Sequence, residues 1–291
     1  MVVFKSWQET KEGFTLVELL VVISIIALLL GILMPTLHKA RSAGQSTICV
    51  SNVRRLAIAG AIYVQENRDF PPFRMTRVSL TDPTVYVNKY GREQPRWQWF
   101  FDHGIGPVIN PGLYLTDTKK TFNDKDTLIM TNKYFFCPSF KYSDYNANDI
   151  RNGSYGYNYQ YLGNTNIIQA GKYVNFPVPL SCIVQPSRTV IIADSRGAGM
   201  PHGVHSYTLD PPKIARSTGN LYFAFYKSGA AIQQSPADAR HSGRANVSFV
   251  DGHAKSMSLT SLGYFLDDKG QILPDDSRGS NCLWSGTGKD E

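Results

Sequence analysis

Residues Lys11 to Pro35 read KEGFTLVELLVVISIIALLLGILMP, and the fold turns on how that run is understood. From Phe14 to Met34 the chain is apolar for 21 residues with a single ionisable side chain, Glu18. As a helix this length crosses the roughly 30 Å hydrocarbon core of a bilayer. A carboxylate inside such a span costs about 2.5–3.5 kcal/mol even on a lenient insertion scale, so the acid needs a purpose. A secretory signal peptide has an apolar core of about 7–15 residues and a small-x-small cleavage site. Here the core is longer, and the best downstream cut, after Ala43, places Arg41 where a small residue is required. A plain signal anchor accounts for the length but leaves Glu18 without a role.

A third reading accounts for every feature. Gly13, Phe14, Thr15, Leu16, Val17 and Glu18 resemble the cleavage and methylation motif of type IV prepilins and type II secretion pseudopilins. The resemblance implies a polar leader, residues 1–13, removed by a prepilin peptidase between Gly13 and Phe14. Phe14 then becomes a methylated N-terminus, Glu18 is the acid that the family uses in assembly, and Pro35 falls where many pilins place a proline. The charges flanking the span, Lys5 and Lys11 before it and Lys39 and Arg41 after it, are balanced by Glu9 and Glu12 on the leader side. By the positive-inside rule they put the N-terminus outside, whereas the resemblance requires it inside. The motif is the more specific signal.

Beyond Pro35 the helical pattern changes character. Cys49, Val53, Leu56, Gly60 and Tyr63 recur at steps of four and three, so they share one face, while Arg54, Arg55 and Gln65 fall off it. An amphipathic continuation over residues 36–68, ending before Pro71-Pro72, should lay this stripe against a sheet. A globular domain, residues 69–291, follows. Its composition is ordinary, at 42% hydrophobic and 18% charged for the whole chain, and the net charge of +7 is dispersed. Such a charge pattern is a solvated surface, and no nucleic acid is expected as a partner. Cysteines 49, 137, 182 and 282 are widely separated and form no C-x-x-C pair, so a zinc site is not expected, and their pairing is open.

Within the domain, RWQWFF (Arg96 to Phe101) reads as core aromatics. YFFCPS (Tyr134 to Ser139) reads as a strand stopped by Pro138, and SYGYNYQYLG (Ser154 to Gly163) as a strand or extended loop. SRTVIIADS (Ser187 to Ser195) reads as a central strand with Asp194 at its end, and NLYFAFY (Asn220 to Tyr226) as another strand. RHSGRANVSFVDGHAKSMSL (Arg240 to Leu259) carries Asp251-Gly252 between alternating runs, a hairpin signal. With a two-residue turn there, Val250 faces His253 and Phe249 faces Ala254. The spacing from His241 through nine residues to Asp251-Gly252 also resembles the H-X9-DG signature of a prepilin-like family abundant in planctomycetes. That resemblance extends to the Cys49…Asn52…Leu56…Tyr63 helix, the CPS element and the PSRTVIIADS strand.

His241, Asp251, His253 and Asp194 are metal-ligand residue types, with His241 and Asp251 the weak candidates for a shared ion. An extended hairpin carries His241 some 30 Å from the turn, so Asp251 is read as a turn former and His241 as a loop-fixing hydrogen-bonder. LDDKGQILPDD (Leu266 to Asp276) has acids for calcium but lacks EF-hand spacing. No cofactor is expected, and no nucleophile elbow, Walker A loop or H-E-x-x-H motif points to an enzyme. The expected architecture is α+β: a long N-terminal helix packed on a C-terminal domain with antiparallel sheet. The expected function is a structural pilin-like subunit of a type IV pilus-like fibre or secretion pseudopilus. It would be a single-pass inner-membrane protein with the C-terminal domain in the periplasm, assembled into a surface or periplasmic filament. Its implied partners are the prepilin peptidase, other pilin or pseudopilin subunits and the inner-membrane assembly platform. A membrane-tethered surface protein capturing polysaccharide or an export substrate is the alternative.

Overall fold

One α-helix, α1, runs from Leu16 to Asn67 and carries both sequence patterns described above. The computed structural model describes residues 14–71, 97–98, 101, 133–140, 154–163, 165–169, 172–175, 178–197, 208–214, 234–273 and 275–290. The leader with Gly13, three residues of the RWQWFF run (Arg96, Trp99 and Phe100) and the whole NLYFAFY run lie outside them. The chain divides into two compact units, Met1–Gly44 and Gln45–Glu291.

In the first unit every residue from 14 to 41 is exposed, including Leu16 at 78% and Leu28 at 67%. A helix whose apolar side chains are exposed all round is made for lipid or for the helices of other chains. By length and composition it is able to cross a membrane. The helix continues through Pro35, although proline supplies no backbone donor. Beside it the Thr36 hydroxyl donates to Leu33 O at 2.7 Å.

In the second unit the helix is one-sided. Cys49, Asn52, Val53, Leu56, Ala57, Ala59, Gly60 and Val64 are buried, Tyr63 partly so, and Arg54, Arg55 and Gln65 are exposed. A four-stranded sheet lies in the order β1 (Tyr155–Tyr157), β4 (Val190–Asp194), β5 (Ala245–Phe249), β6 (Ala254–Met257), with all neighbours antiparallel. A separate two-stranded pair joins β2 (Thr165–Gln169) to β3 (Lys172–Asn175). The helix stripe, Tyr155, Tyr157, Ile191 and Ile192 share one apolar cluster with Trp97, Phe101 and Phe135. Val190, Ala193, Ala245, Val247 and Phe249 belong to a second cluster with Leu262, Tyr264 and Trp284. A register shift between Val190 and Ile192 explains why Ile191 and Ile192 both serve the helix side, since an unbroken strand alternates faces. The second cluster is closed by the Trp284 indole, which donates to Leu262 O at 2.9 Å.

Three local expectations are corrected. YFFCPS is not a strand: Lys133–Phe135 is a single 3-10 turn followed by irregular chain. Its Cys137 N–H goes to the Ser154 hydroxyl rather than to a sheet neighbour. In SYGYNYQYLG only Tyr155–Tyr157 is strand, and Tyr159–Gly163 coils into one π-helical turn. The β5–β6 register pairs Ser248 with Ala254, one step from the two-residue expectation. Phe249 therefore faces His253, its N–H reaching His253 O at 3.0 Å and the two rings stacking at 4.3 Å. The loop is Val250-Asp251-Gly252, closed by Gly252 N–H to Phe249 O at 2.9 Å, with Gly252 at φ +89°. This is the three-residue hairpin, in which a turn is followed by a left-handed glycine. Val250 is buried in the helix-side cluster, which explains why it is drawn into the loop instead of extending the strand.

Candidate functional site

Two places concentrate chemistry, and the first is the start of α1. Thr15 and Glu18 form a reciprocal cap. The Thr15 N–H and hydroxyl donate to Glu18 Oε2 at 2.8 and 2.7 Å, and the Glu18 N–H donates to Thr15 Oγ1 at 3.2 Å. This is the capping box S/T-x-x-E, which satisfies two otherwise orphaned donors of the first turn. The sequence Thr15-Leu16-Val17-Glu18 spells it, a signal separate from the acid's charge. Phe14 is 70% exposed directly before the cap.

The second place lies in the folded domain, where four elements each deliver one side chain. The inward stripe of α1 brings Cys49, the turn after the 3-10 segment brings Cys137, the end of β4 brings Asp194, and the loop before β5 brings His241. Their ligand-type atoms all lie within 4.8 Å of one another, and all four residues are buried. Cys49 Sγ is 2.7 Å from Cys137 Sγ, Cys137 Sγ is 3.3 Å from His241 Nε2, and His241 Nε2 is 3.4 Å from Asp194 Oδ2. Each position is held from behind. Asn52, one turn along from Cys49, donates to Phe136 O at 3.2 Å and Tyr155 Oη at 3.3 Å. Asp194 Oδ2 accepts the Asn246 N–H at 2.7 Å, while Oδ1 has no hydrogen bond. Arg240 approaches Asp194 Oδ1 at 3.9 Å and Asp238 at 3.2 Å, and donates to Ser154 O and Ser195 O.

Electrostatics follow from this crowding. The hydrogen bond from Cys49, against the effect of burial and with help from His241, lowers the Cys137 thiol to about 5. That same hydrogen bond, together with burial, pushes the Cys49 thiol well above its ordinary value. Burial opposes charging of His241, but its hydrogen bonds to Asp194 and Cys137 prevail and raise it to about 9. The opposite directions of the two thiols follow from one hydrogen bond shared between the two sulfurs beside His241.

His241 and Asp251 are not brought together. His241 sits outside the regular strands, bridged only to Arg244, and points into the cysteine cluster. Asp251 instead holds the hairpin loop, accepting from the His253 N–H at 3.1 Å and lying 2.6 Å from His253 Nδ1. Three of the acids of Leu266–Asp276 are engaged within the protein, Asp275 by accepting the distant Ile214 N–H at 3.0 Å. Asp267 accepts the N–H groups of Lys269 and Gln271, and Asp276 pairs with Arg278. Cys49 and Cys137 are the site residues that sequence reasoning did not combine. The available signal was a cysteine on the inward stripe of the helix and another beside a proline.

Comparison with known proteins agrees with the first place. Residues 10–34 match the family model of the prokaryotic N-terminal methylation motif. Over 125 residues the chain is 33% identical to the type IV wide pilus major component PilA4 of Thermus thermophilus, covering 95% of that protein and 40% of this chain. The chain belongs to the type IV prepilin family. It is a structural pilin-like protein with other pilins and a prepilin peptidase as partners. No solved structure matches it.

Proposed function

We propose that this prepilin is cut between Gly13 and Phe14, methylated at Phe14, and built into a type IV pilus-like fibre as a non-enzymatic subunit. Before assembly, residues 14–35 hold it in the inner membrane with residues 69–291 in the periplasm, and the assembly platform extracts it. The observation that carries this reading is the methylation motif running directly into a helix that is apolar to Met34 and exposed on every side to residue 41. Such a surface is soluble in lipid before assembly and in a sheath of like helices afterwards.

Glu18 is the registration device. Cleavage leaves a cationic amine on Phe14, one peptide unit from the Thr15 N–H that Glu18 already accepts. In a core of packed helices that charge needs a carboxylate from its own helix or from the next subunit. Removing one partner of a buried pair costs about 3–5 kcal/mol, a hundredfold or more in assembly equilibrium by the usual conversion of about 1.4 kcal/mol per decade. Glu18→Gln separates the two roles of the side chain, because glutamine keeps the capping acceptor and loses the charge. Both Glu18→Gln and Glu18→Ala should be cleaved and inserted normally yet be missing from sheared fibres. Fibres containing Glu18→Gln at wild-type level would reduce Glu18 to a helix cap and remove its role in registration.

A further inference from the structure

We propose that Cys49, Cys137, His241 and Asp194 form a structural site for one thiophilic divalent cation of the zinc class, clamping the second half of α1 onto the sheet. The four donors come from four separate elements, are all buried, and converge within 4.8 Å of one another. Zinc is bound at about 2.3 Å by sulfur and 2.0–2.2 Å by nitrogen or oxygen, so tetrahedral neighbours stand roughly 3.3–3.8 Å apart. The separations of 3.3 Å from Cys137 to His241 and 3.4 Å from His241 to Asp194 already meet that spacing. The sulfurs, at 2.7 Å, must part by roughly an ångström, and the widest separations in the cluster, up to 4.8 Å, must draw in to admit the ion.

Chemistry and charge point the same way. Two thiolates and an imidazole select zinc-class ions over calcium or magnesium, which prefer oxygen ligands. Four protein donors leave no open position, as in structural rather than catalytic zinc sites. A divalent ion and the adjacent Arg240 guanidinium together cancel the negative charge of two thiolates and the Asp194 carboxylate. Asp194 is fully buried and turns Oδ2 toward His241 Nε2 at 3.4 Å, and a ligand bond to the ion offsets the cost of burying that charge. The Asn246 N–H holds the carboxylate in place from outside the site, a support typical of metal ligands. The clamp would act where it is most useful, because Cys49 lies near the start of the buried half of the helix.

The test uses the full chain, purified in detergent, reduced, stripped with chelator and titrated with Co²⁺ and then Zn²⁺. The expected result is saturation at about one equivalent. Co²⁺ should give thiolate-to-metal charge-transfer absorption and the visible bands of a tetrahedral ion, all bleached by Zn²⁺. The bands should persist in the Cys182→Ser/Cys282→Ser variant and be lost in Cys137→Ser and His241→Ala. Since those last variants also remove buried side chains that the fold packs around, the wild-type titration decides. Absence of the cobalt bands in the reduced wild-type chain overturns the proposal. So does chain isolated without reductant in which Cys49 and Cys137 are joined to each other, which would make the pair a disulfide and not a ligand set.

Discussion

Gly156→Ala should unfold the domain's sheet edge, and the size of the effect follows from one close approach. A Cβ on Gly156 would stand 2.6 Å from the Thr208 carbonyl carbon, closer still to its oxygen, and 2.9 Å from Leu209 Cβ. Ordinary contact begins at 3.4 Å, so β1 and the segment at 208–209 must separate by about 0.8 Å at least. The Leu209 N–H to Tyr157 O bond, now 3.1 Å, would stretch to about 3.9 Å and cease to be a hydrogen bond. Leaving buried backbone groups unpaired costs about 1–3 kcal/mol, and forcing extra volume into a packed seam costs about 1–3 kcal/mol more. The sum is about 2–6 kcal/mol, or roughly 1–2 M in a urea midpoint at the upper end of the usual slopes. Tryptophan fluorescence of the full chain in detergent reads it, since Trp97 and Trp284 are fully buried. Gly44→Ala is the control, because its Cβ meets nothing within 4 Å, and its midpoint should stay or rise. A Gly156→Ala midpoint within about 0.3 M of wild type would refute the close approach of β1 to Thr208.

Other substitutions probe the remaining seams. Leu56→Ala, at a fully buried position on the inward stripe, should cost about 2–5 kcal/mol in the same urea titration. Gly252→Val should cost about 1–2 kcal/mol, because a β-branched residue resists φ +89°. Gly252→Asn, which tolerates that region, should recover most of the loss.

The helix and its two characters were legible because both patterns are local: an unbroken apolar run, then a stripe at steps of four and three. Val190–Asp194 was legible as an inner strand for the same reason, since a continuous apolar run needs cover on both faces. What the sequence did not disclose depends on contacts distant along the chain. YFFCPS has the composition of a strand, yet Cys137 spends its N–H on Ser154, a choice visible only once β1 lies beside it. The hairpin's extra loop residue is Val250, placed there by a pocket under α1 that Asp251-Gly252 alone does not announce. The cysteine cluster joins residues 88 and 104 positions apart, and no local spacing rule covers such distances. The Thr15–Glu18 cap is the exception. It is a four-residue signature that depends on no distant contact, and the same acid also carries the charge argument.

The central claim is that the chain is processed as a prepilin, and the mass of its native N-terminus tests that most directly. Membranes from the producing cell should yield an N-terminal peptide beginning at Phe14 and one methyl group heavier than its sequence. Replacing Gly13 by a bulky residue should leave the first 13 residues attached. An N-terminus at Met1 in the wild-type protein, or at Gly44 after a cut behind Ala43, would contradict the account.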